Sequence, residues 1–326
     1  MMTSLPLAVL LGQLLGTAIA CGFNLYAVIL VIGVAAHYGW TTSIPYGLIG
    51  LQSPPILLSA AALYIMEFVI DKVPGFDAVW DAVHTIARPV AAGLLAAVAL
   101  EALPVAGQAA GGLVAAAAAL IAHLTKAGRR VSLHAAGRSR ETVRASLLED
   151  AIAIVLVAAA LFVPVAGAIL AALLLLALAV RGPSYWRAAV LGIRSVDARL
   201  RGFFGTPGWR ERNDLPRHVA ALVEPDELGI APPRALRAAA HRIPGAGSFR
   251  NGWLVVQRDR VGFIYRAPIR ARRYELPVHT IGSADSGLMM DTVRLENGNG
   301  FTLFLLKDGP PLDLAVAELK AAATWI

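Results

Sequence analysis

Apolar residues gather in five long runs before residue 181 and in short, alternating runs after residue 250. The first long run, 5–38, would be about 50 Å long as one helix at about 1.5 Å per residue, against a hydrocarbon layer of about 30 Å. A break is therefore expected, and Gly22-Phe23-Asn24 is the place for it, where a flexible residue adjoins an amide that competes with helical hydrogen bonds. Further runs cover 55–70, 90–103, 105–124 and 151–180. Pro104 and Pro164 stand between apolar stretches and predict tight hairpins at a membrane face. With 151–180 counted as two, the pattern predicts an all-α polytopic bundle of about six transmembrane helices, the first one broken. The alternative takes 5–20 and 25–38 as separate spans and puts the N-terminus on the other side. The N-terminal run outlasts a signal peptide and reads as a retained span.

Residues 185–204 place Trp186, Val190, Ile193, Val196, Leu200 and Phe203 at helical spacing with Arg187, Arg194, Arg199 and Arg201 between them. This predicts an interfacial amphipathic helix, with a core helix of a soluble domain as the other reading. The stretch 205–233 is rich in Pro, Gly and charge and reads as a linker. The period then changes. Short β-prone runs at 253–257, 262–266, 272–276, 292–296 and 301–306 are separated by turn signals at Asn251-Gly252, Arg258-Asp259 and Asn297-Gly298. A last helical pattern runs over 311–325. A strand meander capped by one helix resembles the pleckstrin-homology-like (PH-like) fold, whose members commonly bind lipid headgroups or peptides; a small structural cap is the other reading. The expected domains are a transmembrane helical domain at 1–182, an amphipathic helix and linker at 183–244, and a PH-like β domain at 245–326.

Composition supports the bilayer. Mean hydropathy is +0.63, and only 16% of residues are charged, where soluble domains average about 25%. The net charge of +7 lies in loops and the C-terminal half and not along one basic face, so nucleic acid is not an expected partner. Basic residues instead orient the spans. Lys126, Arg129, Arg130, Arg138, Arg140 and Arg144 follow one apolar run, whereas 37–52 has neither Lys nor Arg. The positive-inside rule then predicts a multi-pass bacterial inner-membrane protein with both termini cytoplasmic. The lone cysteine, Cys21, excludes a disulfide framework.

The most distinctive segment is Glu67-Phe68-Val69-Ile70-Asp71-Lys72-Val73-Pro74, followed by Trp80-Asp81, His84-Thr85 and Arg88-Pro89. With the earlier Gly22, Asn24, Tyr26 and Ala27 and the later His123, Lys126, Ala127, Arg130, Glu149 and Asp150, it strongly resembles a bacterial integral-membrane family catalogued as domain of unknown function 4126. The resemblance spans about residues 22–180 and implies membrane architecture without an activity. The chain departs from the family at Gly137-Arg138-Ser139-Arg140-Glu141, where a Ser-Pro-Glu-Pro-like segment is common.

Glu67 and Asp71 share a helical face at the end of an apolar run, where a bare charge costs several kcal/mol. Either they are cation or proton ligands, or they anchor the helix to Lys72, Arg88 or Lys126. Asp77, Asp81 and His84 fall at i, i+4 and i+7, a stripe that either holds a divalent cation or pairs locally. Glu149 and Asp150 open the last long run, where acids suit the helix dipole. Asn24 and Tyr26 flank the expected break, a place where transporters expose backbone to an ion and where an interhelical hydrogen bond serves equally. A faint internal parallel, Asn24 then Glu67 and Asp71 against His123 and Lys126 then Glu149 and Asp150, suggests an inverted repeat. No catalytic or cofactor motif is present in the sequence. Two functions are expected. One is a small secondary transporter or channel for an ion or small solute, with a polar core of Asn24, Tyr26, Glu67, Asp71, Lys72, His123 and Lys126. The other is a non-transporting scaffold whose PH-like domain binds a lipid headgroup or protein partner.

Overall fold

A computed structural model describes residues 7–73, 75–224, 232–243, 247–257, 260–276, 281–296 and 300–323. Residues 1–6, Pro74, the expected turns at 258–259 and 297–298, and the chain end with Trp325 lie outside the described residues. The chain divides into two compact units, Met1–Trp186 and Arg187–Ile326.

In the first unit the opening apolar run forms α1 (Leu7–Phe23) and α2 (Leu25–His37), with Asn24 between them. Asn24 is extended (φ −152°, ψ 100°), and its side chain accepts the Ala27 N–H. The amide that ends one helix is thus the N-cap of the next. A 3-10 turn, Tyr46–Gln52, leads into α3 (Pro54–Ile70), whose prolines sit in the first turn where no N–H is needed. Then follow α4 (Phe76–Ala99), α5 (Val105–Ala135), α6 (Ser139–Phe162) and α7 (Pro164–Phe204).

Three boundaries correct the sequence reading. The segment 71–88 lies between two apolar runs and reads as a loop with a short helix aligning Asp77, Asp81 and His84; it is instead helical from Phe76 continuously into the next run, and α4 passes through Pro89. One proline removes one helical hydrogen bond, while Asp77, Asp81, His84 and Arg88 are all buried along this helix and hold it in place. Helix α5 continues through the expected basic loop to Ala135, so Lys126 and Arg130 are buried helix residues, not loop charges. The expected break at Pro164 is where α7 begins, but 185–204 continues that helix past Pro183.

Among the described residues four helices are long and apolar enough to cross a membrane: Phe76–Ala99, Val105–Ala135, Glu141–Phe162 and Pro164–Phe204. The 3-10 turn and α3 pass the same test as a pair bent by 72°, which makes five, and α1 and α2 are shorter apolar helices. The core of this unit is rich in alanines, among them Ala92, Ala96, Ala115, Ala118, Ala119 and Ala122, which let backbones approach closely, and it also buries Phe23, Leu25, Ile32, Leu156 and Leu161. Other large apolar side chains face outward, Leu58 at 72% and Leu113 at 74% exposure.

In the second unit, residues 187–204 bury Ala188, Leu191, Ser195 and Ala198, while Leu200 and Phe203 stand exposed. The buried face is therefore the one with Ala188, Leu191, Ser195 and Ala198 and not the expected stripe ending in Leu200 and Phe203. The sheet contains β1 (Arg210–Glu211), β2 (Arg234–His241), β3 (Arg250–Gln257), β4 (Arg260–Arg266), β5 (Ala271–Glu275), β6 (Ile281–Ser286), β7 (Met290–Leu295) and β8 (Phe301–Leu306). Its order is β5-β4-β3-β2-β8-β7-β6, with β1 beside β2, and every pairing is antiparallel. Strands β2 and β6 add to the expected series, and β2 precedes Gly245. A short helix, α8 (Arg217–Ala220), brings Val219 with Leu215 and Val223 against Ala235, Val255 and Ile264. The closing helix α9 (Leu312–Ala323) buries Ala315, Leu319 and Ala322 in a core with Leu236, Phe263 and Leu303.

Candidate functional site

The break in the first apolar run organises the polar core. Helix α1 ends with carbonyls that its own backbone leaves unpaired, and cations from two other helices take them. Arg88 Nη1 on α4 donates to Gly22 O at 2.9 Å, and Lys126 Nζ on α5 donates to Phe23 O at 2.6 Å. Positive charge suits a helix C-terminus. On the other side of the break the start of α2 faces an acid: Asn24 Nδ2 donates to Asp150 Oδ1 at 2.9 Å, while Asn24 Oδ1 caps Ala27 N. Gly22 is required by the close approach of α5, because a Cβ there would meet Ala119 O at 2.4 Å.

The two cations converge on one carboxylate. Glu67, at 0% exposure, accepts from Arg88 Nη2 at 2.5 Å and Lys126 Nζ at 2.9 Å, both on Oε1. Asp71 accepts both ends of the Arg130 guanidinium, a two-pronged pairing, and receives Ser146 Oγ at 3.3 Å with Lys126 Nζ at 3.5 Å. Arg130 also lies 3.6 Å from Asp81 Oδ2 and 3.5 Å from Glu149 Oε2. Arg129, 39% exposed at its side chain, reaches Glu149 at 3.7 Å. Glu67 Oε2 and Asp81 Oδ1 are buried without a hydrogen-bond partner among the described residues.

Two histidines border this network as neutral rings. His123 Nε2 donates to Asp81 O at 2.9 Å, which leaves Nδ1 to accept from Arg88 Nη1 at 2.9 Å, since a guanidinium only donates. His84 Nδ1 donates to Trp80 O at 2.8 Å, and its Nε2 shares a hydrogen bond of 2.9 Å with Tyr26 Oη. Tyr26 also lines an apolar crevice of about 260 Å³ with Ile29, Pro55, Ile56, Ser59, Ala60 and Leu63.

Of the residues singled out in the sequence, Asn24, Glu67, Asp71, His123, Lys126, Glu149 and Asp150 thus meet in one core, and Tyr26 reaches its edge through His84. Lys72 stands apart: its Nζ donates to Phe68 O at 2.6 Å and lies 3.2 Å from the Phe68 ring centroid. The stripe Asp77, Asp81 and His84 diverges. Asp77 accepts the Gly75 and Ala78 N–H groups at the start of α4 and faces His134 at 3.4 Å, whereas Asp81 turns to Arg130 and His84 to Tyr26. No group of three or more His, Cys, Asp or Glu side chains is disposed to hold a metal among the described residues. Arg88, expected as one possible anchor for Glu67 and Asp71, does hold Glu67, whereas Arg130 and Ser146 were not among the expected partners. The signal lay in spacing: 123, 126 and 130 share a face of α5, as 81, 84 and 88 do on α4.

A family model described as "Domain of unknown function (DUF4126)" matches residues 11–182. No curated protein and no solved structure matches the chain.

Proposed function

The chain belongs to the DUF4126 family, and from that premise we propose that its helical unit is a small ion-coupled secondary transporter or channel of the bacterial inner membrane. One observation carries the reading: around the broken helix, buried carboxylates outnumber the cations that pair with them. Among the described residues the buried carboxylates Glu67, Asp71, Asp81, Glu149 and Asp150 outnumber the cations within 4 Å of them, Arg88, Lys126 and Arg130, even with Arg129 counted, and Asp150 has Asn24 as its partner. A surplus buried anion at membrane depth calls for a proton or a cation. The break supplies the machinery for exchange, since carbonyls at a helix C-terminus accept cations and are held here by Arg88 and Lys126. A bound ion would compete with these two side chains for the same oxygens.

In this reading α1 and α2 together make the broken first span. With the 3-10 turn and α3 as another, six spans cross the bilayer and both termini are cytoplasmic. The second unit is read as a PH-like module. In its support, a meander β2 to β5 and a meander β6 to β8 join through the β2 and β8 pairing, with α9 closing the core.

A non-transporting scaffold is the second reading, favoured by the fact that Glu67 is fully buried and held by two cations. Such a network ties three helices together without moving anything. Proteoliposomes separate the two. Vesicles loaded with a pH- or cation-sensitive dye and given a proton, Na⁺ or K⁺ gradient should equilibrate faster with the protein than without it, and Glu67→Gln should remove the difference. Rates equal to those of empty vesicles under all three gradients would leave the scaffold.

A further inference from the structure

The hairpin between β4 and β5 presents a side chain that no fold requires. Arg266 pairs with Ala271, and the turn between them is closed by Ala267 N donating to Arg270 O at 3.1 Å. Pro268 presets the turn backbone. At its tip Ile269 is 98% exposed, which gains nothing from burial in the domain and is unfavourable in water. Arg270 is exposed beside it in the turn, and Arg266 and Arg272 are exposed on the flanking strands. Cross-strand partners share a face, so Arg272 opposite Tyr265 and Arg266 opposite Ala271 leave the ribbon on opposite sides. An apolar tip thus carries a basic collar on both faces. No ion pair engages these three arginines among the described residues, and residues 266–273 contain no acid.

We propose that this hairpin docks on a bilayer surface rich in anionic headgroups, with Ile269 entering the interface and Arg266, Arg270 and Arg272 pairing with phosphates around it. Charge complementarity selects this occupant: a protein groove for Ile269 would have to match positive charge on both sides, whereas a phospholipid surface offers phosphate all round and hydrocarbon beneath. The bilayer is also always at hand, because the same chain is anchored in one, which makes docking an intramolecular event. The inference does not depend on whether the helical unit transports, and its test reads docking alone. Each arginine near an anionic surface contributes roughly a fivefold bias, so the three together contribute on the order of a hundredfold in the docked-to-free ratio.

The test uses the full chain in vesicles, with Ile269→Cys labelled by an environment-sensitive fluorophore; Cys21 is fully buried and does not compete for the label. In vesicles of phosphatidylcholine with a third phosphatidylglycerol, the label should shift to the blue and resist aqueous iodide. In pure phosphatidylcholine, or at high salt, it should be quenched. Replacing Arg266, Arg270 and Arg272 by Gln should abolish the shift in the anionic vesicles while the protein keeps its elution volume and circular dichroism. A label equally exposed in both membranes overturns the proposal. So does a label equally shielded in both, which would mean that the hairpin rests on protein, and so does a triple variant that still docks.

Discussion

Arg130→Met removes the most connected cation of the polar core while keeping the length and apolar stem of the side chain. Arg130 is 1% exposed. It holds both oxygens of Asp71 and approaches Asp81 at 3.6 Å and Glu149 at 3.5 Å. Breaking one buried ion pair from one side costs about 3–5 kcal/mol, because the remaining charge keeps its desolvation penalty. Here three carboxylates lose a partner, so the loss should reach at least the upper half of that range. Among the described residues Asp71 then keeps Lys126 at 3.5 Å and Ser146 at 3.3 Å. Asp71→Asn should therefore cost about 2 kcal/mol less in the Arg130→Met background than in the wild type, a coupling within the span measured for residues in one network. Equilibrium unfolding in mixed detergent micelles, read by tryptophan fluorescence for the wild type, both single variants and the double variant, gives the four corners of the cycle. A loss below about 1 kcal/mol, as for an exposed pair, or strictly additive variants, would refute the reading of Arg130 as the clamp of a buried network.

Three further outcomes are expected. Gly22→Ala should destabilise by about 1–3 kcal/mol, because its Cβ would meet Ala119 O at 2.4 Å and Ala122 Cβ at 2.6 Å; thermal melting checks it. The fragment 187–326 should fold with a strand-rich circular dichroism spectrum, whereas 245–326 should not, since it lacks the central strand β2. His241 is shifted down by burial and then by the neighbouring Arg242 charge, so the unfolded chain binds its proton at higher pH than the folded one. The stability of that fragment should accordingly fall as pH drops below about 6.5, and His241→Gln should flatten the slope between about pH 5 and 7.

The legible parts of the fold were those where one local signal acts alone. Asn24 broke the first apolar run and Pro164 began α7, each through its own backbone chemistry. The missed parts were decided by neighbours. Strand β2 reads Arg-Ala-Leu-Arg-Ala-Ala-Ala-His, a composition that favours helix. It is a strand because β3 and β8 flank it and its small side chains fit under the sheet's two cores. Strand β6, with Gly282, Ser283, Asp285 and Ser286, is a polar edge strand with no apolar alternation to find. The charges were legible only in part. Lys126 was expected both in the basic loop and in the polar core, and Arg130 only in the loop, because a cation in a loop and a cation paired inside a bundle have the same letters. Only the facing carboxylates, 59 residues away for both Lys126–Glu67 and Arg130–Asp71, distinguish the two. Lys72, adjacent in sequence to Asp71, turns outward because the helix has ended there and its side chain lies back over Phe68.

Whether the core holds an exchangeable ion is read most directly from the ion and pH dependence of its stability. Thermal melting of the purified wild type and Glu67→Gln, with Na⁺, K⁺, Mg²⁺ and Ca²⁺ and across pH 5 to about 9, isolates one carboxylate while keeping its shape and hydrogen-bonding capacity. If the core binds a cation or proton, the wild type melts higher with one of these ions or within one pH window, and the variant stays folded but loses that response. A wild type indifferent to every ion and to pH, beside a variant that is merely less stable, would contradict the account and leave Glu67 as a structural tie between Arg88 and Lys126.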